Sequence, residues 1–465
     1  MSQPGSHDNP LRVAIIGAGP AGFYTAERLY KEKNLHVQVD MFDRLPTPFG
    51  LVRAGVAPDH QKIKSVTKVF ERVAAKPGFR FFGNVTLGED VSVEELRHYY
   101  HQIVYTTGAQ TDRSLNIPGI DLTGSHAATE FVAWYNGHPD YRDYQFDLSQ
   151  ENVVVIGIGN VAVDVARILC RTPEELKETD IADYALEALR HSKVKHVYML
   201  GRRGPAQAAF TPVEAKELGE MMGADVHVLP EEAELDELSQ ASLAEADRGT
   251  TRNVEIVQEF AERPSTGKPR QLTIRFMVSP TELLGDEQGQ VTGVRIAKTE
   301  LYKTDAGSLR SRSTDKTEVL PAGLVFRSIG YRGVPLPGVP FNESWGVILN
   351  EGGRVIDAET QQPVVGEYTA GWIKRGPSGV IGTNKPDAAE TAERMLEDLA
   401  AGSTLQPAHP DAEAFAAFIG ERQPQYVSFA DWQKLDELEL ANGVAQGRPR
   451  LKFVRVADML AALGK

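Results

Sequence analysis

The chain has one cysteine, Cys170, among 465 residues. That scarcity excludes an internal disulfide framework, a CxxC redox pair and an iron–sulfur cluster held by this chain's own thiolates. The setting of Cys170 in Val165-Ala166-Arg167-Ile168-Leu169-Cys170 predicts a small, buried, apolar side chain. No apolar run approaches the ~20 residues that a membrane span needs. The segment Met1 to Asn9 carries neither a basic region nor an apolar stretch, so no membrane partner and a cytoplasmic location are expected. Basic residues are in deficit as well: 50 Lys and Arg stand against 64 Asp and Glu, a net charge of −14. This balance argues against a nucleic-acid partner, although a local basic patch can still meet an acidic protein. The 11 histidines show no metal-ligand spacing, and no metal is expected.

What the chain does have is glycine, placed at two turns that each close a short apolar strand. The first is Arg12-Val13-Ala14-Ile15-Ile16-Gly17-Ala18-Gly19-Pro20-Ala21-Gly22, and a second strand, His36 to Phe42, runs into Asp43. This is a complete Rossmann fingerprint. Gly17 permits the tight turn, Gly19 lets backbone approach a pyrophosphate, Gly22 lets helix pack on strand, and Asp43 can accept from a ribose diol. The second turn is Asn152-Val153-Val154-Val155-Ile156-Gly157-Ile158-Gly159-Asn160-Val161-Ala162. Its next strand, Val194 to Leu200, leads into Gly201-Arg202-Arg203-Gly204, so two guanidinium groups stand where an NAD site wants a carboxylate. The first turn therefore reads as a site for one dinucleotide and the second as a site for NADP(H). Between them, Cys170 to Lys193 reads as a helical insertion, with Thr172-Pro173-Glu174-Glu175 as N-cap, N1 proline and acidic first turn.

Length gives a prior of about three domains, one of which can be discontinuous. Ile103 to Ala109, Gly323 to Gly330 and Tyr368 to Trp372 each carry a β-prone run into a glycine, as strands ending at nucleotide sites do. Their placement predicts an α/β protein of two Rossmann-like dinucleotide domains, the NADP domain inserted into the FAD domain. The expected division is residues 1–110, 111–335 and 336–465, the last including a C-terminal extension. Pro335-Leu336-Pro337-Gly338-Val339-Pro340 has linker composition. Glu231 to Asp247 reads as a solvated helical stretch, and Leu272 to Thr317 as an antiparallel excursion. There is no internal repeat beyond the two Rossmann halves.

Four long motifs carry a resemblance that covers nearly the whole chain. They are Pro46 to His60, Gly159 to Ala166, Gly201 to Pro205 and Trp372 to Ile381, in that order. They resemble adrenodoxin reductase and its bacterial NADPH:ferredoxin reductase relatives. The resemblance implies a flavoenzyme that takes hydride from NADPH on FAD and passes single electrons to a ferredoxin-type iron–sulfur protein, an acidic one, and works as a monomer. It implies that Ala21, Asp43, Leu51, Val85, Trp372 and Gly379-Val380-Ile381 line FAD. It likewise assigns Ile158, Gly159, Asn160, Val161, Arg202, Arg203, Glu214 and Gly379 to NADP, and puts His60 and Glu217 near the reacting rings as the catalytic pair. Relatives more often carry glutamate where Asp43 stands, which shortens its reach by one methylene. The stretch Gly382 to Asp387 follows the bacterial form.

Some alternatives stay open at this level. His60 reads equally as a surface or N-capping residue, Glu217 as a helix-surface charge and Trp372 as core. The glycines before Lys385-Pro386-Asp387 serve either packing or the placement of N–H groups and a positive helix end at the flavin edge. Lys193, Lys195, His196, Arg202, Arg203, Lys374 and Arg375 are candidates for a positive docking rim. Two other classes also fit two nucleotide sites. One is the NADPH-oxidising small subunit of a larger oxidoreductase such as glutamate synthase, against which the single cysteine counts; the other is a non-catalytic NADP sensor.

Overall fold

The computed structural model describes residues 4–465. Its first sheet has seven strands in the order Asn350–Glu351, Arg354–Ile356, Pro363–Thr369, Gln102–Tyr105, Leu11–Ile16, Val37–Asp43, Phe79–Gly83. From Pro363–Thr369 onward the neighbours run parallel. Leu11–Ile16 is buried along its whole length, as a parallel strand covered on both faces must be. Arg12 is the polar member of that strand and is only 1% exposed. Its guanidinium donates to Asp40 Oδ2 at 2.6 Å, Arg80 donates to the same carboxylate at 2.7 Å, and the Tyr100 hydroxyl completes the shell at 2.6 Å. A buried charge cluster thus ties neighbouring strands together from inside, and every Asp40 oxygen is engaged.

The second sheet has six strands, ordered Ser125–Ala127, Leu324–Arg327, Asn152–Ile156, His196–Leu200, Arg270–Arg275, Ala224–Val228, all parallel to their neighbours. The chain leaves the first sheet after Gln102–Tyr105 and returns to it after Leu324–Arg327. On the way out and back, Thr111–Asp112 and Tyr331–Arg332 pair as a short antiparallel ribbon. One dinucleotide unit is inserted into the other.

Two sequence expectations change here. Leu272-Thr273-Ile274-Arg275-Phe276 is not antiparallel: Arg270–Arg275 lies inside the parallel sheet, and only Val278–Gly285, Val291–Lys303 and Leu309–Pro321 form the antiparallel one. The alternation that pointed the other way came from Thr273 and Arg275, which are buried too. The acidic run Glu231 to Asp247 folds as Pro230–Ala233 and Glu237–Ala244 and is largely solvated, but Glu232 is 3% exposed because Arg275 and Lys298 neutralise it. The insertion after Cys170 forms the helices Pro173–Leu176 and Asp183–Arg190, the first with a Thr172–Glu175 capping box. Cys170 is buried, which pushes its thiol up to about 12. Among the described residues no helix is long and apolar enough to cross a membrane.

The C-terminal segment runs back across both units. Arg448 donates to the carbonyls of Thr179 (3.0 Å) and Ile181 and pairs with Asp183. Lys452 Nζ reaches the carbonyls of Arg53 (3.1 Å) and Asn136 (3.0 Å) and lies 3.3 Å from Asp180, which also holds Lys64 at 2.6 Å. Replacing Arg448 by methionine leaves two buried carbonyls without donors, so R448M is expected to lower unfolding free energy by about 2–4 kcal/mol. Denaturant titration of the wild type and R448M checks this; superimposable curves would contradict it.

Candidate dinucleotide-binding site

The first glycine turn opens onto a cleft of about 270 Å³. Gly17 stands at φ 109°, and a Cβ there would fall 2.7 Å from the Thr106 carbonyl. At Gly22 a Cβ would come 2.5 Å from the Gly17 carbonyl, which explains the close helix–strand packing; at Gly19 it would project into open space. The helix Pro20–Tyr30 starts at Gly19 with no side-chain cap, leaving its first N–H groups for an anion in the cleft. Asp43 closes the far end. Its Oδ2 accepts from Ala18 N–H and its Oδ1 from Leu45 N–H, both at 3.0 Å, and burial pushes its pKa up against those two bonds. Each oxygen keeps a second lone pair. Donors at one end, a carboxylate at the other and backbone between them fit the pyrophosphate and ribose of FAD.

Ala21, Leu51, Val85, Trp372 and Ile381 line this cleft with Gly17, Gly19 and Asp43. Gly379 and Val380 are exposed and are not among its lining residues. Trp372 is wall, not core: its Nε1 donates to the Ser378 carbonyl at 3.1 Å and its ring lies 5.4 Å from that of Tyr331. Thr129, Val132, Ala133 and Tyr331 close the cleft from the inserted unit, and no motif marked them. The helix Asn384–Ala400 begins two residues before Pro386 and has no side-chain cap at Thr383. Asp387 in its first turn accepts from Gly371 N–H at 2.5 Å, so part of the positive helix end is already met by a carboxylate.

The second turn repeats the geometry. Gly157 is at φ 135°, where a Cβ would meet the Ser328 carbonyl at 2.2 Å, and a Cβ at Gly159 would touch only that of Ala209. The helix Asn160–Cys170 starts uncapped at Gly159. Ile158, Gly159, Asn160 and Val161 are half-buried, and Asn160 Oδ1 accepts from Thr211 N–H at 2.9 Å, fixing the neighbouring loop. Arg202 is exposed and Arg203 half-buried. Among the described residues neither guanidinium forms an ion pair or a side-chain hydrogen bond, although acids outnumber bases in the chain. Burial and the neighbouring Arg202 charge lower the pKa of Arg203. Two like charges without an internal partner await an anion.

Where the two units meet lies a buried charged seam centred on Arg167, whose side chain is 0% exposed. It donates to Asp59 (2.8 and 3.2 Å), Asp164 (2.6 Å) and Glu214 (3.1 Å) and lies 3.5 Å from Glu217. Arg171 adds a contact to Asp59 at 3.1 Å. His60 occupies the N-cap position of Gln61–Lys64 without capping it; its Nε2 bonds Glu217 Oε2 at 2.7 Å and stands 3.7 Å from Glu214. Glu214 and Glu217 share a face of Pro212–Leu218. His60, Glu214 and Glu217 would satisfy the donor requirements of a metal, but Arg167 already supplies the cation at that place.

The titrations follow from this arrangement. Burial would raise Asp59, yet Arg167 and Arg171 drive it down to about 2. Burial raises Asp164, and burial with the Asp164 charge raises Glu214. Burial works against both members of the His60–Glu217 pair, but their hydrogen bond prevails: His60 is raised and Glu217, with help from Arg167, is lowered. Sequence reasoning missed Asp59, Asp164 and Arg167. The available signal was an Asp and an Arg three residues apart on the otherwise apolar helix face Val163-Asp164-Val165-Ala166-Arg167.

The proposed rim does not assemble. Lys374 is 8% exposed and held by Glu390 (2.7 Å) and Asp387 (3.3 Å), Arg375 is engaged with Ser378 and Asn384, and Lys195 pairs with Glu151 at 2.6 Å. Lys193 and Lys195 precede the strand His196–Leu200 and Arg202 follows it, so strand rise separates the two groups by roughly 20 Å.

A raised His60 pKa contributes stability that is complete below the ordinary imidazole range and is lost as pH rises through the raised value. A lowered Glu217 pKa contributes stability that is present above the ordinary carboxylate range and is lost as pH falls through the depressed value. The pair is therefore strongest between the two. E217Q is expected to cost about 1.5–3 kcal/mol at about pH 6 and clearly less at about pH 9.5. Denaturant melts at both pH values test this; an equal loss at the two would contradict it.

Residues 11–226 match the family model described as pyridine nucleotide-disulphide oxidoreductase. The chain is 46% identical over 453 residues to NADPH-ferredoxin reductase FprA of Mycobacterium leprae, covering 96% of this chain and 97% of that one. It is 43% identical to human mitochondrial NADPH:adrenodoxin oxidoreductase, over 97% of this chain and 92% of the relative. Its fold superposes on Mycobacterium tuberculosis FprA solved in complex with NADPH with a TM-score of 0.92 at 44% identity, covering 98% of this chain and 100% of that one. On the two glycine turns, the arginine pair and full-length similarity of this degree, the chain belongs to the NADPH-ferredoxin reductase family that includes adrenodoxin reductase.

Proposed function

We infer that this chain is an NADPH-dependent FAD oxidoreductase that delivers electrons to a ferredoxin-type iron–sulfur protein. The observation that carries the reading is an asymmetry. Both glycine turns present an uncapped helix start to open space, one leads to a carboxylate at Asp43, and the other leads to two unpartnered arginines. FAD, when bound in the first cleft, supplies the exchange between a two-electron donor and one-electron acceptors. The protein supplies placement and electrostatics.

In this reading residues 1–110 and 336–465 form the FAD unit and 111–335 the NADP unit. Gly17, Gly19, Ala21 and Gly22 carry the FAD pyrophosphate, Asp43 takes its ribose, and Leu51, Val85, Trp372 and Ile381 bound its rings. Ile158, Gly159, Asn160 and Val161 carry the NADP pyrophosphate, with Glu214 beneath, and Arg202 and Arg203 take the 2′-phosphate. His60 and Glu217 sit where the two units meet and share one strongly held proton, which suits them to orient the nicotinamide and to buffer charge beside it. They assist and are not indispensable, because the electron chemistry belongs to the cofactors. The partner is an acidic ferredoxin-type protein, the enzyme acts as a monomer, and it works in the cytoplasm.

The 2′-phosphate is the only group that separates NADPH from NADH, and bonds to charged groups contribute about 1.5–3 kcal/mol each. Losing both guanidinium groups should weaken NADPH use by a factor on the order of 10³ and leave NADH use nearly unchanged. Measuring kcat/KM for both coenzymes in the wild type and in the R202A/R203A double variant checks this. A preserved NADPH-to-NADH ratio would move the phosphate site elsewhere.

A further inference from the structure

The turn Gly201-Arg202-Arg203-Gly204 carries two adjacent like charges, so its shape has to be imposed from outside. Its backbone is stitched to one corner of the fold. Gly201 N–H donates to the Arg275 carbonyl at 2.8 Å, the Gly201 carbonyl accepts from Val278 N–H at 3.1 Å, and the Arg203 carbonyl accepts from Met277 N–H at 3.3 Å. At this corner Arg270–Arg275 of the parallel sheet passes into Val278–Gly285 of the antiparallel sheet. Met277, between them, stands at φ 54°, a left-handed conformation that a residue other than glycine keeps only when its surroundings hold it there.

Two groups hold it. Glu232, beneath the corner, accepts from Phe276 N–H at 2.9 Å, from Arg275 and, at 2.6 Å, from Lys298. Thr299, on Val291–Lys303, donates its N–H to the Met277 carbonyl at 2.8 Å and its Oγ1 to the Arg202 carbonyl at 2.9 Å. Thr299 is 8% exposed, so water does not replace that hydroxyl. It touches the strained corner and the arginine turn at once. The antiparallel sheet lines no part of the first cleft.

We propose that this sheet is a brace for coenzyme selection, and that Thr299, through the Arg202 carbonyl and Met277, is a positioning residue for recognition of the 2′-phosphate. Forked hydrogen bonding tolerates little rotation. A peptide plane that swings at Arg202 re-aims both Cα–Cβ directions, and the hydroxyl of Thr299 is what pins that plane. The inference rests on the reading of Arg202 and Arg203 as the phosphate site.

The test uses the FAD-loaded enzyme. T299V keeps side-chain shape and removes the donor; T299S keeps the donor. The ratio of kcat/KM for NADPH to that for NADH is expected to fall about 3- to 10-fold in T299V, mainly through KM for NADPH. T299S should restore it, and T299V should have no further effect on the ratio in the R202A/R203A background. If T299V does not fold, K298M, which loosens the Glu232 clamp from its half-exposed side, carries the same expectation. An unchanged ratio, an equal loss for both coenzymes, or a full effect persisting without the arginines would overturn the brace. A wild-type ratio in R202A/R203A alone would instead overturn the phosphate-site reading on which it stands.

Discussion

One buried cation governs how the two nucleotide units meet. Arg167 receives no water, and its guanidinium is met by carboxylates from three separate segments: Asp59 from a loop within the first unit, Asp164 from its own helix, and Glu214 and Glu217 from the helix beyond the arginine turn. Removing a charge from water costs several kcal/mol unless its hydrogen bonds are complete. The cluster therefore tolerates only the mutual placement of the units that completes them. A second buried crossing, in which Asp180 of the inserted unit is held between Lys64 and Lys452, imposes the same constraint from the C-terminal side.

Charge is used in two opposite ways in this chain. At the seam, at Asp40 and at Glu232, ionised groups are satisfied internally, and what they determine is shape. At Arg202 and Arg203 they are left without internal partners, free to meet an anion from outside. The contrast gives the antiparallel sheet a purpose. An unpartnered pair has no internal contact to orient it, so its backbone has to be held by a neighbour that is itself rigid, which the Glu232–Arg275–Lys298 cluster and Thr299 provide.

The dinucleotide units were legible because glycine spacing and apolar strand runs are local consequences of backbone geometry. A Cβ at Gly17 or Gly157 collides with backbone in the folded chain, as the spacing implied. The place of the arginine pair directly after its strand was legible for a similar reason. What escaped was long-range. Arg167 pairs with Asp59 across 108 positions and Arg12 with Asp40 across 28, and periodicity cannot report such partners. Arg275 looked like the polar face of an antiparallel strand because its partner, Glu232, sits in a run that read as solvated. Lys374 looked like a surface charge, yet Glu390 and Asp387 hold it in place.

Both nucleotides serve a single electron path. The most direct measurement is anaerobic addition of NADPH to the purified, flavin-loaded protein, following the oxidised-flavin band at about 450 nm, with an oxidised ferredoxin then added. Bleaching of the band by NADPH far faster than by NADH, and its return as ferredoxin is reduced, is the predicted result. A band that NADPH leaves unchanged in protein with full flavin content would contradict the central claim.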